Sequence, residues 1–321
     1  MADALPNLRW FHLAPHHCLG TLLAVEGLLW LSKRLGWPPW HKGYAVLTAV
    51  AAVAVMMLLM LLWFGVAALS RWRFQFGIRS LFVLTVAVAL PCSWFSWEMK
   101  MAREQRDAAE AIRKAGLMIA YDYQCDTQGF WTTASWSGPN WVHSWLGDDF
   151  LSDIVGVQVP IAFVGDTLGG FCPIGCKATD QDLLPLKKFS RLRHLYLAGT
   201  SITDSGMACV GKLRELQSLS LLCTNVGDNG VAHLRGLRSL RDLDISQTKV
   251  TNSGLAHVKN LPHLESIRLG GTAVDDNGLL SLAECRRIKK VNLMWHDFSH
   301  QFTPKGVARF KRAMPNCDVI Q

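Results

Sequence analysis

Acidic residues are almost missing from the first 97 positions, where Asp3 and Glu26 stand against seven Lys and Arg. Charge of either sign is scarce in the chain as a whole, at 18% of residues, while 50% are hydrophobic. That balance is apolar for a soluble globular protein. The shortage is local. From Glu98 onward the chain carries 26 basic and 23 acidic residues, an ordinary globular mixture. The net charge of +8 therefore arises mainly beside the apolar runs, where cations meet lipid head groups, and does not mark a nucleic-acid patch.

Other absences narrow the chemistry. The nine cysteines are odd in number and show no tight spacing, which argues against a disulfide framework. Cys172 and Cys176 form the one close pair, and Cys209, Cys223 and Cys285 fall where small core thiols are common. No Gly-rich phosphate loop, GxSxG elbow, HExxH helix or paired zinc knuckle is present. No catalytic residue, metal, cofactor or small-molecule substrate is therefore expected, and the chain reads as non-enzymatic. A cleavable signal peptide is not expected either, because no short apolar run ends in a small-residue cleavage site near the N-terminus.

Long uncharged runs are what the N-terminal part does have. Tyr44 to Leu69 contains no charged residue, and as a helix at about 1.5 Å per residue it outreaches a hydrocarbon layer of roughly 30 Å. Ser80 to Trp97 is just long enough to span, with Pro91 expected to kink its distal end. The stretch from about Phe11 to Leu31 carries Glu26, whose charge costs about 2.5–3.5 kcal/mol in mid-bilayer. It reads either as a third span or as a segment lying in the interface. Trp30, Trp40, Trp63, Trp72, Trp94 and Trp97 lie near the span ends, where indoles favour the head-group layer. Arg9, Arg71, Arg73 and Arg79 would face one side; Lys33, Arg34, Lys42, Lys100, Arg103 and Arg106 would face the other. The cytoplasm is thus the favoured side for the C-terminal part, in an integral protein of the cell membrane. His12 and His16, at helical i, i+4 spacing, read as interfacial imidazoles or as a metal-ligand pair.

Beyond Trp97, Glu98–Gly116 is rich in helix formers and in opposite charges at i, i+4, with Gly116 as its stop. Leu117–Tyr123 and Ile154–Val159 read as strands. Between them, Trp131, Trp136, Trp141 and Trp145 are expected to cover the open end of the C-terminal part. Residues 117–177 are thereby assigned as a cap.

From Ala178 the chain repeats itself every 24 residues. Thr200, Thr224, Thr248 and Thr272 share one position, and Gly206, Gly230, Gly254 and Gly278 another. Leu195 and Leu197 alternate with polar residues, as in a short strand with one buried face, and Met207, Val210 and Leu213 recur at helical spacing. Asp204, Asp228, Asn252 and Asp276 stand where a helix N-cap is expected. One such unit cannot bury its apolar face alone, so the units must stack.

The pattern LxxLxLxxTxITDxGL resembles leucine-rich repeats, closest to the cysteine-containing subtype, over residues 178–321. His296 departs from the threonine position, and the last repeat carries about four extra residues. The layout as a whole is similar to bacterial membrane-anchored leucine-rich-repeat proteins. The resemblance implies an α/β fold: a C-terminal solenoid of parallel sheet plus helices, preceded by an α-helical transmembrane region over residues 1–97. It also implies that the repeated threonines bond loop backbone between coils.

With one strand per coil, the residue between the two core leucines projects away from the core. That position holds Tyr196, Ser220, Asp244, Arg268 and Asn292 in turn; the preceding outward position holds His194, Ser218, Asp242, Ser266 and Lys290. An acidic centre at Asp242 and Asp244 is thus expected beside the basic Arg268 and Lys290, with Tyr196 at one end and Trp295 near the other. Aromatic and Arg anchors dominate interface energetics. The expected function is a membrane-tethered scaffold binding another protein on this concave face. A receptor signalling through its spans is the alternative, and a solvated surface of self-neutralising charges is the bland reading of the face. His233 and His257 share a repeat position and read as helix-face residues.

Overall fold

A computed structural model describes residues 78–125, 140–160, 177–294 and 301–320, with two isolated positions at 51 and 54. The apolar runs 11–31 and 44–69 lie outside the described residues apart from those two positions. So do His12, His16, Trp131, Trp136, Cys172, Cys176, Trp295 and His296. The chain divides into two compact units, residues 1–102 and 103–321.

In the first unit the continuous described segment belongs to helix α1, Ile78–Lys114, which crosses into the second unit at Arg103. The run 80–97 is helical, as its composition suggests, and the helix continues through Pro91 without a break. Among the described residues no helix is long and apolar enough to cross a membrane. Helix α1 stops where a glycine allows it. Gly116 takes φ 83°, its N–H donates to the Arg113 carbonyl, and the Leu117 N–H donates to the Ile112 carbonyl. This pair of bonds closes a helix end when the residue after it is left-handed. Ile112 and Leu117, which flank the turn, are both buried in the core.

The second unit is built on one eight-stranded sheet in sequence order, β1 to β8. Strand β1, Met118–Tyr121, pairs antiparallel with β2, Ile154–Gln158. All later pairs are parallel: β3 His194–Tyr196, β4 Ser218–Ser220, β5 Asp242–Asp244, β6 Ser266–Arg268, β7 Lys290–Asn292 and β8 Asp318–Ile320. The expected strands at 117–123 and 154–159 are present. The first is shorter than expected, because Asp122–Gln124 winds into a 3-10 turn. Short helices follow α1: α2 Asn140–Leu146, α3 Asp148–Leu151, α4 Asp204–Val210, α5 Asp228–His233, α6 Asn252–Val258, α7 Asp276–Ser281 and α8 Pro304–Ala313. A 3-10 helix at Asp180–Lys188 stands where the first repeat helix would be.

One core runs from Ala108, Ala109 and Ile112 of α1 through the leucine positions to Phe310 of α8. Trp141 and Trp145, expected to cover an open end, instead point outward with 68% and 80% exposure. The end is closed by α1 and β1, with Ala108, Ala109 and Ile112 of the helix and Tyr121 of the strand buried in the core. Of the three thiols expected in the core, Cys209 and Cys285 pack against it, whereas Cys223 lies in a turn with its thiol donating to Gln247; burial raises the Cys285 thiol above its usual range.

Two repeated positions do other work than their sequence suggests. The helix cap is the residue before the Asp/Asn position: Thr203 accepts the Ser205 N–H, Thr251 that of Ser253, and Asp275 those of Asn277 and Gly278. The Asp/Asn residue is the first helical residue, and its side chain reaches forward to the next repeat. Asp180 accepts from Thr203, Asp204 from the Gly227 N–H, Asp228 from Thr251, Asn252 from the Asp275 N–H, and Asp276 from Thr303. The repeated glycine is the space this bracket needs. A Cβ at Gly230, Gly254, Gly278 or Gly306 would collide with the carboxylate or amide of the preceding repeat.

The repeated threonines act within their own coil. The hydroxyls of Thr200, Thr224, Thr248 and Thr272 donate to the carbonyls of Leu197, Leu221, Ile245 and Leu269 at 2.6–2.8 Å. These donated bonds stay within the coil, and the Thr272 hydroxyl also accepts a bond from Gln301 of the final coil. The bridging in the last repeat falls to Gln301. Its amide donates to the Val274 carbonyl and the Thr272 hydroxyl and accepts the Gly271 N–H.

Candidate binding surface

The parallel register lines up two columns on the sheet face turned away from the helices. One runs Gln158, Tyr196, Ser220, Asp244, Arg268, Asn292 and Ile320; the other runs Gly156, His194, Ser218, Asp242, Ser266, Lys290 and Asp318. Neighbouring members of a column stand about 4.8 Å apart, the strand spacing. Tyr196, Asp242, Asp244, Arg268, Lys290 and Asn292 are thus brought together as the repeat implied. Gln158 with Gly156, and Ile320 with Asp318, extend the surface beyond the reading from sequence. The alternation IVGVQV and the terminal DVI carried that signal, but irregular segments separate both from the 24-residue period.

The columns are not equally accessible. Asp242, Arg268 and Lys290 are exposed, and Tyr196 is half-buried. Asp244 is 8% exposed, as is Ser220, and His194 is buried beside them. The Asp244 carboxylate accepts the Ser246 N–H at 3.0 Å and lies 3.6 Å from the Arg268 guanidinium. It therefore steadies the exposed end of Arg268 more than it offers itself to solvent. The His194 and Tyr196 rings stack, with centroids 6.5 Å apart and planes 14° from parallel. At the far end the Asn292 side chain accepts the Met294 N–H.

Electrostatics follow the crowding. Although its side chain reaches solvent, Asp242 is partly desolvated by its neighbours, which raises its carboxyl above the ordinary range; Glu265 adds to the rise, and Arg268, Arg241 and Lys290 oppose it. Burial likewise raises the Tyr196 phenol, with a hydrogen bond to Ser218 pulling it back and Asp242 adding to it. His233 and His257 are exposed on α5 and α6, on the other side of the stack.

Residues 260–283, from the end of α6 to the end of α7, match a family model described as a leucine-rich repeat. These coils are leucine-rich repeats. The solenoid they form is an α/β stack of parallel strands and helices, a kind of fold that offers an extended surface suited to binding other proteins. Among solved structures the chain is similar to internalin C2 from Listeria monocytogenes. The two are 20% identical over 54% of this chain and 63% of that one, with a TM-score of 0.37. It is also similar to a leucine-rich-repeat protein of Leptospira interrogans, at 18% identity over 43% of this chain and 33% of that one, with a TM-score of 0.32. The match thus spans less than two thirds of either protein. No curated protein matches the chain.

Proposed function

We propose that this leucine-rich-repeat chain is a membrane-tethered scaffold whose concave sheet face binds another protein. The observation that carries the reading is the in-register surface over β3 to β7. It sets an aromatic side chain, Tyr196, and a guanidinium, Arg268, among exposed side chains of both signs. Residues of those types bury well and bond in fixed geometry, which is why they dominate interfaces. Tyr196, Asp242, Arg268 and Lys290 contact the partner, while Asp244 positions Arg268. Asn292 extends the surface toward the C-terminus. Tethering is supported by the uncharged run Tyr44–Leu69 and by cations concentrated beside the apolar runs.

Two measurements test the two halves of this reading. Alkaline carbonate washing should leave the full chain in the membrane pellet; its release would sink the spanning helices. A photo-crosslinking residue placed at 196 or 268 in cells should capture one and the same protein, whereas one placed at His233 or His257 should not. Equal capture from both sides of the stack would move the site off the sheet face.

A further inference from the structure

The two long edges of the solenoid carry opposite charge, and the concave site uses neither. Loops 187–193, 211–217, 235–241, 259–265 and 283–289 each lead into the next strand, so they line one edge. Together they hold thirteen Lys and Arg against three Glu. Beyond the strands a backbone ladder keeps them in file: Gln217, Arg241, Glu265 and Lys289 each donate an N–H to the matching residue one repeat earlier, at 2.7–2.8 Å. The strand-to-helix turns 197–206, 221–230, 245–254 and 269–278 line the other edge, with four Asp against one Lys, Lys249.

Most of the basic edge is unneutralised. Glu265 is taken by Lys289 at 2.6 Å and Glu284 by Lys259 at 3.7 Å. Lys187, Arg193, Lys212, Arg214, Arg238 and Arg286 are exposed and make no ion pair among the described residues. Cations do complement helix C-termini. Yet these helices are six or seven residues long, and the loops after them carry two, three, one and three cations in turn, more in most of them than a short dipole can use.

Helix α1 enters the second unit at this same edge. The Gln105 amide donates to the Ser152 carbonyl, two residues before β2 begins, at 3.1 Å, and Glu104 pairs with Lys188. The helix then crosses the stack, because β1 starts at Met118 opposite Gln158, the last residue of β2. Glu104 and Gln105 of α1 thus lie at the basic edge.

We propose that the basic edge docks on an anionic lipid surface, the head-group layer of the membrane that anchors the chain. The inference rests on the membrane-tethered reading above. A file of cations supplied by successive coils suits a surface of anionic head groups, and the attraction is screened by salt. Lipid is favoured over a nucleic acid because the same chain carries the uncharged run Tyr44–Leu69. With the edge on the membrane, the sheet face stays open to a protein partner.

The full chain in nanodiscs, briefly acetylated with an N-hydroxysuccinimide ester and read by mass spectrometry, tests the proposal. Lys187 and Lys212 should react about threefold more slowly in phosphatidylserine-rich discs than in phosphatidylcholine discs. Salt at about 1 M should remove the difference. Lys249, on the opposite edge, should react alike in both discs. Combining Arg214→Glu, Arg238→Glu and Arg286→Glu should abolish the protection while leaving the circular dichroism unchanged. Equal rates in the two discs, or equal protection of Lys249, overturns the proposal. A chain that does not incorporate into discs sinks the spanning helices instead, and sedimentation with phosphatidylserine vesicles then decides the edge. Salt-sensitive binding weakened by the charge reversals sustains it; absence of binding overturns it. Protection by a DNA duplex but not by anionic lipid also overturns it, assigning the edge to nucleic acid.

Discussion

The carboxylate of Asp228 accepts two hydrogen bonds from Thr251 in the next repeat, from the N–H and from the hydroxyl, each at 2.7 Å. The same Thr251 oxygen accepts the Ser253 N–H, so one side chain joins two repeats and caps a helix. Asp228→Ala should cost about 1.5–3 kcal/mol in chemical denaturation, the range for a lost charged hydrogen bond. Where the partner is Asp275, the bracket residue is Asn252, whose amide donates to that carboxylate. Asn252→Asp would set two carboxylates against each other and should lower the unfolding midpoint. Adding Asp275→Thr should restore it by recreating the Asp228–Thr251 pair. A double variant no better than Asn252→Asp alone would show that the brackets are not matched to their partners.

The glycine beside each bracket should be intolerant of a methyl group. Gly254→Ala places a Cβ against the Asp228 carboxylate and Val250, and overpacking of this kind costs about 1–3 kcal/mol. In an Asp228→Ala background the cost should shrink, because the main obstacle has gone. Additive losses in the double-mutant cycle would mean that the glycine serves some other need.

The turns after β3, β4, β5 and β6 each take a left-handed residue, and Gly199, Cys223, Gln247 and Gly271 share that position. Gly199→Ala and Gly271→Ala should each cost about 1 kcal/mol. Gln247→Gly should leave stability unchanged or raise it, by relieving φ 51° at a residue with a Cβ. If Gln247→Gly loses as much as the alanine variants, the hydrogen bond from the Cys223 thiol to Gln247 outweighs the strain.

Asp242 gives the sheet face a pH dependence of unusual sign. Its carboxyl is raised in the folded chain, so the folded state binds a proton more readily than the unfolded state. Stability from this group is therefore lost as pH rises from the unfolded carboxylate range through the raised value. Asp242→Asn should raise the unfolding midpoint at neutral pH, and the advantage should fade below the ordinary carboxylate range. An advantage that persists in acid would assign the effect to packing instead.

Truncation should separate the cap from the repeats. A fragment starting at Glu98 keeps Ala108, Ala109, Ile112 and β1 over the end of the core and should be monomeric and folded. One starting at Leu192 strips Leu183, Leu186 and Val157 from the stack and should aggregate in light scattering, as an uncapped solenoid does. Identical behaviour would remove the capping role from the segment before Leu192.

The strands, the helices and the register of the outward columns were legible because a 24-residue period superimposes every coil on the next. The bracket was not. Thr251 and Asn252 are neighbours, both can cap a helix, and local spacing does not say which of them does so. The deciding contact spans 23 residues, and so does each of its counterparts up to Asp275. Gln301 was invisible for a different reason. It replaces a repeated residue from outside the repeat's phase, in the longer final coil. At the outward position, alternation placed Asp244 and Arg268 side by side. It could not reveal that Asp244 is buried against Ser246, which leaves Arg268 as the exposed member of the pair.

Because each bracket is matched to its successor, the solenoid cannot be shortened by cutting out any 24 residues at random. Excising 252–275 leaves Asp228 facing Thr251 and Asp276 facing Thr303, both of which already fit. Excising 229–252, a segment of the same length, brings Asp228 against Asp275 and sets two carboxylates in one joint. The repeats thus carry a grammar as well as a period, in which serial order is written at the junctions.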